Sequence, residues 1–507
     1  MQQQVTVVGA GFAGLSAACY LAREGYRVRI LEKNPDLGGR ARTFEAAGFR
    51  FDMGPSWYWM PEVFEDFFND FGSSAAEHYT LQRLDPSYEI YFGPGERMEV
   101  PANDAELFAL FERLEPGSSA NLRKFLSEAA YKYRVGLGEF VRKPGHSILD
   151  FADLRVVRAA FKLQMLTDMA SYVRKLFRHP QLRQLLEFPV LFLGATPAKT
   201  PALYSLMNYA DLSLGTWYPL GGMFKIIEGM VAVAKGLGVT IHPGAEVQKV
   251  VSQGGQVKEV LTADGQRYPT DVLVCGADYH HFEQEVLDPQ DRVYSPAYWE
   301  KRVMAPSSLL FYVGLDRKVP GIHHHTLFFD ADFARHAHEI YEEPAWPADP
   351  LFYVCAPSVT DPSVAPAGQE NLFFLLPLAA DLDDTDEARE RYWNLMCERF
   401  ALRTGIDIRP HVVYRRAFAH REFKADYHAY RGNAYGLANT LGQTAFLKPK
   451  LRSRKLRNLW YTGQLTTPGP GMPPSIISGE VVAQDIHRTL TGAKGLSAPT
   501  PNPKTYA

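Results

Sequence analysis

The sequence has few cysteines and no spacing of residues that is typical of a metal site. The four cysteines, at positions 19, 275, 355 and 397, lie far apart, and no two form a Cys-x-x-Cys pair. This spacing argues against a zinc ribbon and a disulfide framework, and it favours a reducing compartment. Three consecutive histidines, at positions 323 to 325, resemble a metal-binding tract, but neighbouring residues of a strand point to opposite faces. We therefore predict a solvated loop there and no metal site.

The sequence also lacks an excess of charge of one sign and a long apolar run. It carries 54 basic and 57 acidic residues, a net charge of −3, which argues against a nucleic-acid-binding protein. Its longest strongly apolar stretch, residues 188–195, is too short to cross a bilayer, and the first residues show no signal peptide. These observations argue against a membrane-spanning helix, but not against attachment to the membrane surface. At 507 residues the chain is long enough for about three structural units.

A glycine-rich motif near the N-terminus predicts a dinucleotide site. Gly9-x-Gly11-x-x-Gly14 follows a buried strand and opens a helix, and a second strand ends at Glu32. The glycines permit a tight turn, close approach of a pyrophosphate and close helix packing, while the helix N-terminus favours the negative phosphates. A carboxylate at the end of the second strand accepts hydrogen bonds from ribose hydroxyls. The sequence therefore predicts a Rossmann-like nucleotide-binding unit.

The motif continues in a form that resembles the flavoprotein superfamily of amine oxidases, protoporphyrinogen oxidase and carotenoid desaturases. Leu37-Gly38-Gly39-Arg40 and Gly48-x-x-x-Asp52-x-Gly54-Pro55 follow Glu32, and residues 244–247 and 460–479 match later segments of the superfamily. The resemblance implies non-covalent FAD, with Glu32 on the adenosine ribose and Val247 near the adenine. The residues assigned to the cofactor in this way are Gly9, Ala10, Gly11, Phe12, Ala13, Gly14, Glu32, Lys33, Gly38, Gly39, Arg40, Val247, Gly463, Gly471 and Met472.

Signature segments along the chain resemble bacterial phytoene desaturases. The matching segments are residues 49–56, 217–223, 356–366, 429–436 and 463–479, so the similarity extends almost from end to end. The resemblance implies successive removal of a hydride and a proton from 15-cis-phytoene toward lycopene, with oxygen or a quinone as electron acceptor. A hydrocarbon offers no acidic hydrogen and no leaving group. The site therefore needs an apolar tunnel that orients the substrate beside the flavin.

A catalytic base is harder to assign than the cofactor. Asp153 is the acid that best matches the family, and it is the candidate proton acceptor or charge stabiliser. The family's neighbouring arginine is Ala152 here, which departs from the pattern, and Asp150 is equally suited to cap a helix. Asp361 is predicted to be a turn residue. The aromatic run at positions 57–59 either lines the tunnel or caps the core.

Basic and apolar residues alternate between positions 154 and 186. Seven bases against one acid, Asp168, are interleaved with apolar side chains and adjoin the apolar stretch 185–193. This pattern predicts an interfacial helix, and hence a peripheral protein on the cytoplasmic side of the cell membrane, where a bilayer-soluble substrate would be taken up. The alternative is an amphipathic helix packed on the core. A second basic patch, residues 448–457, is equally suited to be a solvated loop.

Together these features predict an α/β protein with a discontinuous, Rossmann-like FAD-binding domain, a mixed-sheet substrate domain and a helical, membrane-facing lid. We assign residues 1–70, 222–290 and 455–492 to the FAD-binding domain and residues 71–145 and 291–454 to the substrate domain. Residues 146–221 form the predicted lid, and residues 493–507 a flexible tail. A helix over residues 479–490 is predicted to close the flavin site.

Several related functions share these motifs. A hydroxycarotenoid 3,4-desaturase, a diapophytoene desaturase and a polyene isomerase are the nearest alternatives to a phytoene desaturase. An amine oxidase would need an amine-sized cage, which the apolar Ile476-Ile477 beside the returning loop does not suggest. A prenyl-protein escort of the same architecture carries no flavin, and the intact glycines and Glu32 argue against it.

Overall fold

The structure, a computed structural model, describes residues 2–137, 141–142, 164, 167–440, 442–444 and 447–492. The candidate base Asp153 and residues 146–163 of the predicted lid lie outside the described residues, as do residues 493–507. The described helices are α1 (Phe12–Arg23), α2 (Pro61–Asn69), α3 (Asp104–Leu114), α4 (Ser118–Val135), α5 (Met169–Leu176), α6 (Pro180–Glu187), α7 (Leu206–Leu212), α8 (Phe224–Gly236), α9 (Tyr279–His281), α10 (Pro296–Glu300), α11 (Phe333–Tyr341), α12 (Asp386–Thr404), α13 (His420–Tyr427) and α14 (Met472–Thr491).

A five-stranded parallel sheet forms the centre of the nucleotide-binding lobe. Its strands, in order across the sheet, are β19 (Leu459–Tyr461), β13 (Val272–Cys275), β1 (Gln4–Val8), β2 (Arg27–Leu31) and β9 (Thr240–His242). The inner strand β13 and the edge strand β19 are buried throughout, as expected where helices cover both faces of a parallel sheet. All five strands come from the ranges 1–70, 222–290 and 455–492.

A seven-stranded mixed sheet forms the second lobe. Its strands, in order, are β18 (Val412–Phe418), β14 (Ser307–Leu315), β17 (Glu370–Leu378), β16 (Phe352–Cys355), β15 (His325–Phe328), β6 (Tyr88–Gly93) and β7 (Glu96–Val100). Neighbours are antiparallel except for β15 and β6. The mixed sheet expected for the substrate domain is present, and its strands β14 and β17 pair along their full length.

Three small sheets complete the strand inventory of the described residues. A meander of β10 (Val247–Gln253), β11 (Gln256–Thr262) and β12 (Arg267–Pro269) turns at two glycine-containing hairpins. Two-stranded ribbons are formed by β3 (Thr43–Ala46) with β4 (Phe49–Asp52) and by β5 (Leu81–Arg83) with β8 (Trp217–Pro219).

The C-terminal helix α14 packs directly on α1. It begins at Met472, so the predicted start at residue 479 is wrong. The two prolines that follow Met472 lie in the first turn, where a helix tolerates proline because those N–H groups have no intrahelical partner. Gly479 lies at the contact, where a Cβ would approach the Ala13 carbonyl oxygen to 2.5 Å. Ser16 Oγ donates to the Ile476 carbonyl oxygen at 2.7 Å and ties the two helices together.

The described part of the predicted lid differs from one interfacial helix. It contains α5 and α6, separated by a break before Pro180. Their apolar side chains, such as Val173 and Leu185, are buried against the core, while Arg174, Lys175 and Arg178 are exposed. The apolar face of these two helices is therefore used for internal packing. None of the helices in the described ranges combines the length and the apolar character that crossing a bilayer requires.

Gly479→Ala is expected to lower the thermal unfolding temperature, because the added methyl group would overlap the backbone of α1. Overpacking of this kind costs about 1–3 kcal/mol. Gly236→Ala in α8 is the matched control, since a Cβ there would have nothing within 4 Å. Alanine is the better helix former, so the control should keep or raise the unfolding temperature. Equal unfolding temperatures for the two flavin-loaded variants would contradict the close contact.

Candidate cofactor and substrate site

The turn between β1 and α1 is built for close backbone contacts. Gly9 has a φ of +95°, which favours glycine, and a Cβ on Gly14 would lie 2.0 Å from the Gly9 carbonyl oxygen. A second glycine turn lies against it, since Gly38 donates its N–H to the Ala10 carbonyl oxygen at 2.9 Å. Because the glycines have no side chains, the backbone of these two turns itself forms the wall of a cavity.

Glu32 lies at the end of β2 and is 4 % exposed. Its carboxylate accepts the Ala10 N–H at 2.7 Å and the Asn34 N–H at 2.9 Å. These bonds hold the carboxylate in place at the wall of the cavity, and a carboxylate oxygen has further lone pairs for a ribose hydroxyl.

Arg40 is a half-buried cation that has no ion pair among the described residues. Its Nη2 donates to the Asn433 carbonyl oxygen at 3.5 Å and its guanidinium lies over the Tyr427 ring, while its Nε has no hydrogen-bond partner within the described part of the chain. Burial lowers the pKa of its guanidinium, an effect that the more distant Asp278 partly offsets. A half-buried charge of this kind favours a counter-ion. Arg40 lines the same cavity as Gly9, so the diphosphate of a dinucleotide fits it.

One cavity of about 300 Å³ connects the glycine turns with the second lobe. Its lining includes Glu32 and Val247 of the nucleotide lobe and Gly463 and Gly471 of the loop that leads into α14. The lining also includes Leu310 of β14 and Leu375 of β17 on the large sheet. These two residues are opposite each other in the sheet. The nucleotide site and the inner face of the substrate sheet therefore share one space.

The N-terminus of α14 reaches this cavity. Gly471, Met472 and Ser475 line it. Pro473 and Pro474 have no N–H, and the Ser475 N–H is bonded to the Gly471 carbonyl oxygen at 3.0 Å. Met472 therefore supplies the free N–H of the first turn, together with the positive end of the helix dipole. This arrangement favours negative charge on a group bound there.

Most of the residues assigned to the cofactor line this cavity. They are Gly9, Gly11, Phe12, Ala13, Glu32, Lys33, Gly38, Gly39, Arg40, Val247, Gly463, Gly471 and Met472. Ala10 and Gly14 contribute through the backbone contacts described above, and Asp153 lies outside the described residues.

Asp361 and the aromatic run at positions 57–59, which the sequence analysis singled out, make structural contacts. Asp361 is a turn residue, as predicted: its carboxylate accepts the N–H groups of Gly221 and Ser363 at 2.5 and 2.8 Å. Of the aromatic run, Tyr58 is buried in the core and Trp57 stacks on His325 with ring centroids 4.1 Å apart. The cavity lining contains neither residue.

The prediction about the histidine tract is wrong. The tract is not a solvated loop, because His324 and His325 are buried where the chain enters β15. In the second basic patch, Arg454, Lys455 and Arg457 are exposed, but Lys448 is 3 % exposed, and burial lowers its pKa to about 7. His324, His325 and Lys448 are polar, and tertiary packing buries them all the same.

The second lobe contributes two residues to the cavity that the sequence did not indicate. At the end of α13 and just after it, Asp426 pairs with Arg42 at 2.5 Å and His428 bonds to Glu246 at 2.7 Å. Asp426 and His428 both line the cavity. Both precede the signature segment 429–436, so only the chain fold could reveal their position.

Comparisons with known proteins agree with this geometry. A family described as flavin containing amine oxidoreductase matches residues 12–487. A carotenoid 3,4-desaturase of Haloarcula japonica is 44% identical over 96% of this chain and 98% of its own length. A zeta-carotene-forming phytoene desaturase of Myxococcus xanthus is 32% identical over 100% of this chain and 97% of its own. Cyclohexylamine oxidase from Brevibacterium oxydans shares the fold, with a TM-score of 0.61 at 15% identity over 97% of this chain and 100% of that one.

The chain therefore belongs to the flavin containing amine oxidoreductase family, and it is an FAD-dependent oxidoreductase. Within that family it belongs with the carotenoid desaturases, enzymes that act on carbon–carbon bonds. The predicted family and cofactor are confirmed, and the flavin-free escort is no longer an alternative.

Arg40→Met is expected to abolish most of the rise in unfolding temperature that FAD causes, without destabilising the flavin-free protein. The variant removes a half-buried cation that has no carboxylate partner among the described residues, and leaving such a group without a counter-ion costs about 1–3 kcal/mol. Thermal unfolding with and without added FAD measures both effects.

Arg42→Met is the matched control for this experiment. Arg42 already pairs with Asp426, so its removal should destabilise the flavin-free protein and leave the response to FAD largely intact. A full FAD response in Arg40→Met would show that Arg40 does not face the diphosphate.

Proposed function

We propose that this protein desaturates a long polyene at the 3,4 bond, near one end of the carotenoid chain. The observation that carries the proposal is the cavity that runs from the glycine turns onto the large sheet. On the sheet side its lining has no charged side chain in the described ranges, and it includes Ser308, Leu310, Leu375, Ala434 and Tyr435. An apolar wall of this kind suits a hydrocarbon chain better than an amine.

The proposed reaction removes a hydride and a proton from neighbouring carbons and leaves a double bond. Bound FAD supplies a two-electron acceptor for the hydride. The protein's own part is to bind the chain by apolar contact, to exclude water and to hold the reacting bond beside the flavin. Burial raises the pKa of Tyr435 to about 12, so its phenol stays neutral and is no base near pH 7. Asp153 stays the predicted proton acceptor.

The choice of substrate rests on the relatives. The 44% identical relative is named a carotenoid 3,4-desaturase, and it favours reaction at the chain end. The phytoene desaturase is more distant at 32%, so conversion of phytoene toward lycopene, the first choice from the sequence, becomes the second candidate. In that reaction bonds nearer the middle of the chain would lie beside the flavin.

We also propose that the protein binds the cytoplasmic surface of the cell membrane, since carotenoids dissolve in bilayers. The exposed bases Arg174, Lys175 and Arg178 on and after α5 support this contact. Because the apolar faces of α5 and α6 are buried, these two helices would contact the membrane through their exposed bases, by electrostatic attraction. Residues 146–163 of the predicted lid lie outside the described residues. Reoxidation by oxygen or a quinone is part of the same proposal.

The proposed reaction is tested with purified FAD-loaded protein and vesicles that contain either an acyclic conjugated carotenoid or phytoene. We expect the conjugated carotenoid to gain a double bond, visible as a shift of its absorption to longer wavelength, and phytoene to stay unchanged. Chromatography of the extracted pigments identifies the products. Conversion of phytoene alone would support the second candidate, and turnover of simple amines with release of hydrogen peroxide would contradict both.

The membrane contact is tested with Arg174→Gln, Lys175→Gln and Arg178→Gln combined. Each base near anionic lipid contributes about 1 kcal/mol, so the triple variant should bind anionic vesicles about a hundredfold more weakly if all three bases face the lipid. The matched control replaces three other exposed bases, Lys235, Lys249 and Lys258, by glutamine. Vesicle sedimentation measures the binding. An equal loss in both triple variants would indicate a general charge effect and contradict this surface.

A further inference from the structure

A group of two histidines and one cysteine is buried at the start of β15. The three residues are His324, His325 and Cys355, and all of them are buried. His325 is opposite Cys355 where β15 pairs with β16. One ring nitrogen of each histidine and the Sγ of Cys355 all lie within 4.8 Å of one another. Imidazole and thiolate are ligands that soft metal ions prefer.

The two imidazole rings come together because His324 precedes the strand. Side chains of neighbouring residues alternate between faces only within a strand, and β15 begins at His325. His324 lies in the bend before it, and the ring centroids of the two histidines are 4.5 Å apart. The alternation that argued against a metal site in the sequence therefore does not apply to this pair.

Each histidine has one ring nitrogen that is bonded and one that is not. Nδ1 of His324 bonds to Thr360 Oγ1 at 2.7 Å. Nδ1 of His325 bonds to the Tyr353 hydroxyl at 2.6 Å. Both Nε2 atoms are buried, and neither has a hydrogen-bond partner within the described ranges.

This bonding leaves both Nε2 atoms available to a metal. A hydroxyl oxygen accepts a hydrogen bond, so each Nδ1 can carry the ring proton while Nε2 keeps its lone pair. For His325 the direction follows from the next contact, because Tyr353 donates its own proton to Ser56 Oγ at 3.0 Å. Metal-binding histidines are typically oriented in this way through their other ring nitrogen.

The cysteine can supply a thiolate to a bound ion. Burial raises the pKa of Cys355 to about 12, an effect that a side-chain hydrogen bond with Tyr353 partly offsets, so the free protein holds a neutral thiol. When an ion binds, the S–metal bond forms, the S–H bond breaks and the proton passes to the solvent. Two carboxylates favour positive charge there, since Asp361 acts electrostatically on His324 and Asp52 on Cys355.

We propose that His324, His325 and Cys355 form a trigonal binding site for a soft monovalent cation, Cu⁺. Two imidazoles and one thiolate are the trigonal ligand set of copper sites. Zinc in structural sites takes four protein ligands, and no fourth ligand among the described residues joins this group. In the reducing compartment that the cysteine spacing favours, the thiol stays reduced and can bind the ion.

The site is separate from the cofactor cavity and lies behind its wall. The cavity lining includes Pro55 and none of the three ligands. Ser56 follows Pro55 and is bonded to Tyr353, which holds His325. A bound ion would tie the start of β15 to β16 and should raise the unfolding temperature. The inference is independent of the proposed function, because it involves neither the flavin nor a carotenoid.

The test is an anaerobic titration of the FAD-loaded protein with Cu⁺ in competition with a chromophoric Cu⁺ chelator. We expect one Cu⁺ per chain and a higher unfolding temperature for the copper-loaded protein. His324→Asn keeps an amide in place of Nδ1 and removes Nε2. Its affinity should fall at least about a hundredfold, because loss of an outer-shell partner alone costs about 10–100-fold. Cys355→Ser should lose as much, since a hydroxyl is a poor ligand for a soft ion.

Cys397→Ser is the matched control. Cys397 is also a buried free cysteine, but it lies in α12 and belongs to no group of possible metal ligands among the described residues. Its replacement should leave the affinity for Cu⁺ unchanged. The flavin content of each variant shows that it is folded.

X-ray absorption of the copper-loaded, unaltered protein gives the ligands without any variant. We expect a three-coordinate ion with two nitrogen neighbours and one sulfur neighbour. A shell without sulfur, or no binding of Cu⁺ at all, would overturn the inference. Binding that survives in both His324→Asn and Cys355→Ser would also overturn it, and tighter binding of Zn²⁺ than of Cu⁺ would contradict the choice of ion.

Discussion

The contact between α1 and α14 is the constraint on which the site depends. These helices are separated by about 450 residues of sequence, yet Gly479 brings their backbones together as closely as two helices can pack. Ser478 then bonds to the Gly463 N–H at 3.0 Å, so the same helix fixes the returning loop. Because α1 carries the glycine turn at its start, this contact places the last segment of the chain beside the first and closes the cofactor site between them.

The cavity has two chemically different parts. Its nucleotide part contains Glu32 and Arg40, which suit a ribose and a diphosphate. Its sheet part is apolar apart from Ser308 and Tyr435, and β14 and β17 are buried on both faces, so their position does not adjust easily. A rigid apolar wall of this kind suits the proposed removal of hydrogen from a hydrocarbon chain, since orientation is the main contribution that protein side chains can make there.

The sequence predicted most of the nucleotide lobe and less of the remainder, for physical reasons. Glycine spacing, a carboxylate at a strand end and alternating apolar strands are local signals, and the parallel sheet and the two hairpins follow from them. The start of α14 was misplaced because proline usually ends a helix, although it is allowed in the first turn. His325 and Lys448 were assigned to the surface by their polarity, and only long-range packing buries them. The contact of His428 with the nucleotide lobe depends on the chain fold and has no local signal at all.

The proposed function requires one continuous cavity that holds the flavin beside an apolar chain. Anaerobic mixing of the FAD-loaded protein with a carotenoid substrate tests this requirement, because no other oxidant is then present. We expect that the visible absorbance of the oxidised flavin is lost while the carotenoid absorption moves to longer wavelength, with one flavin reduced for each double bond formed. A flavin that stays oxidised while the carotenoid is bound, or that is reduced without a new double bond, would contradict it.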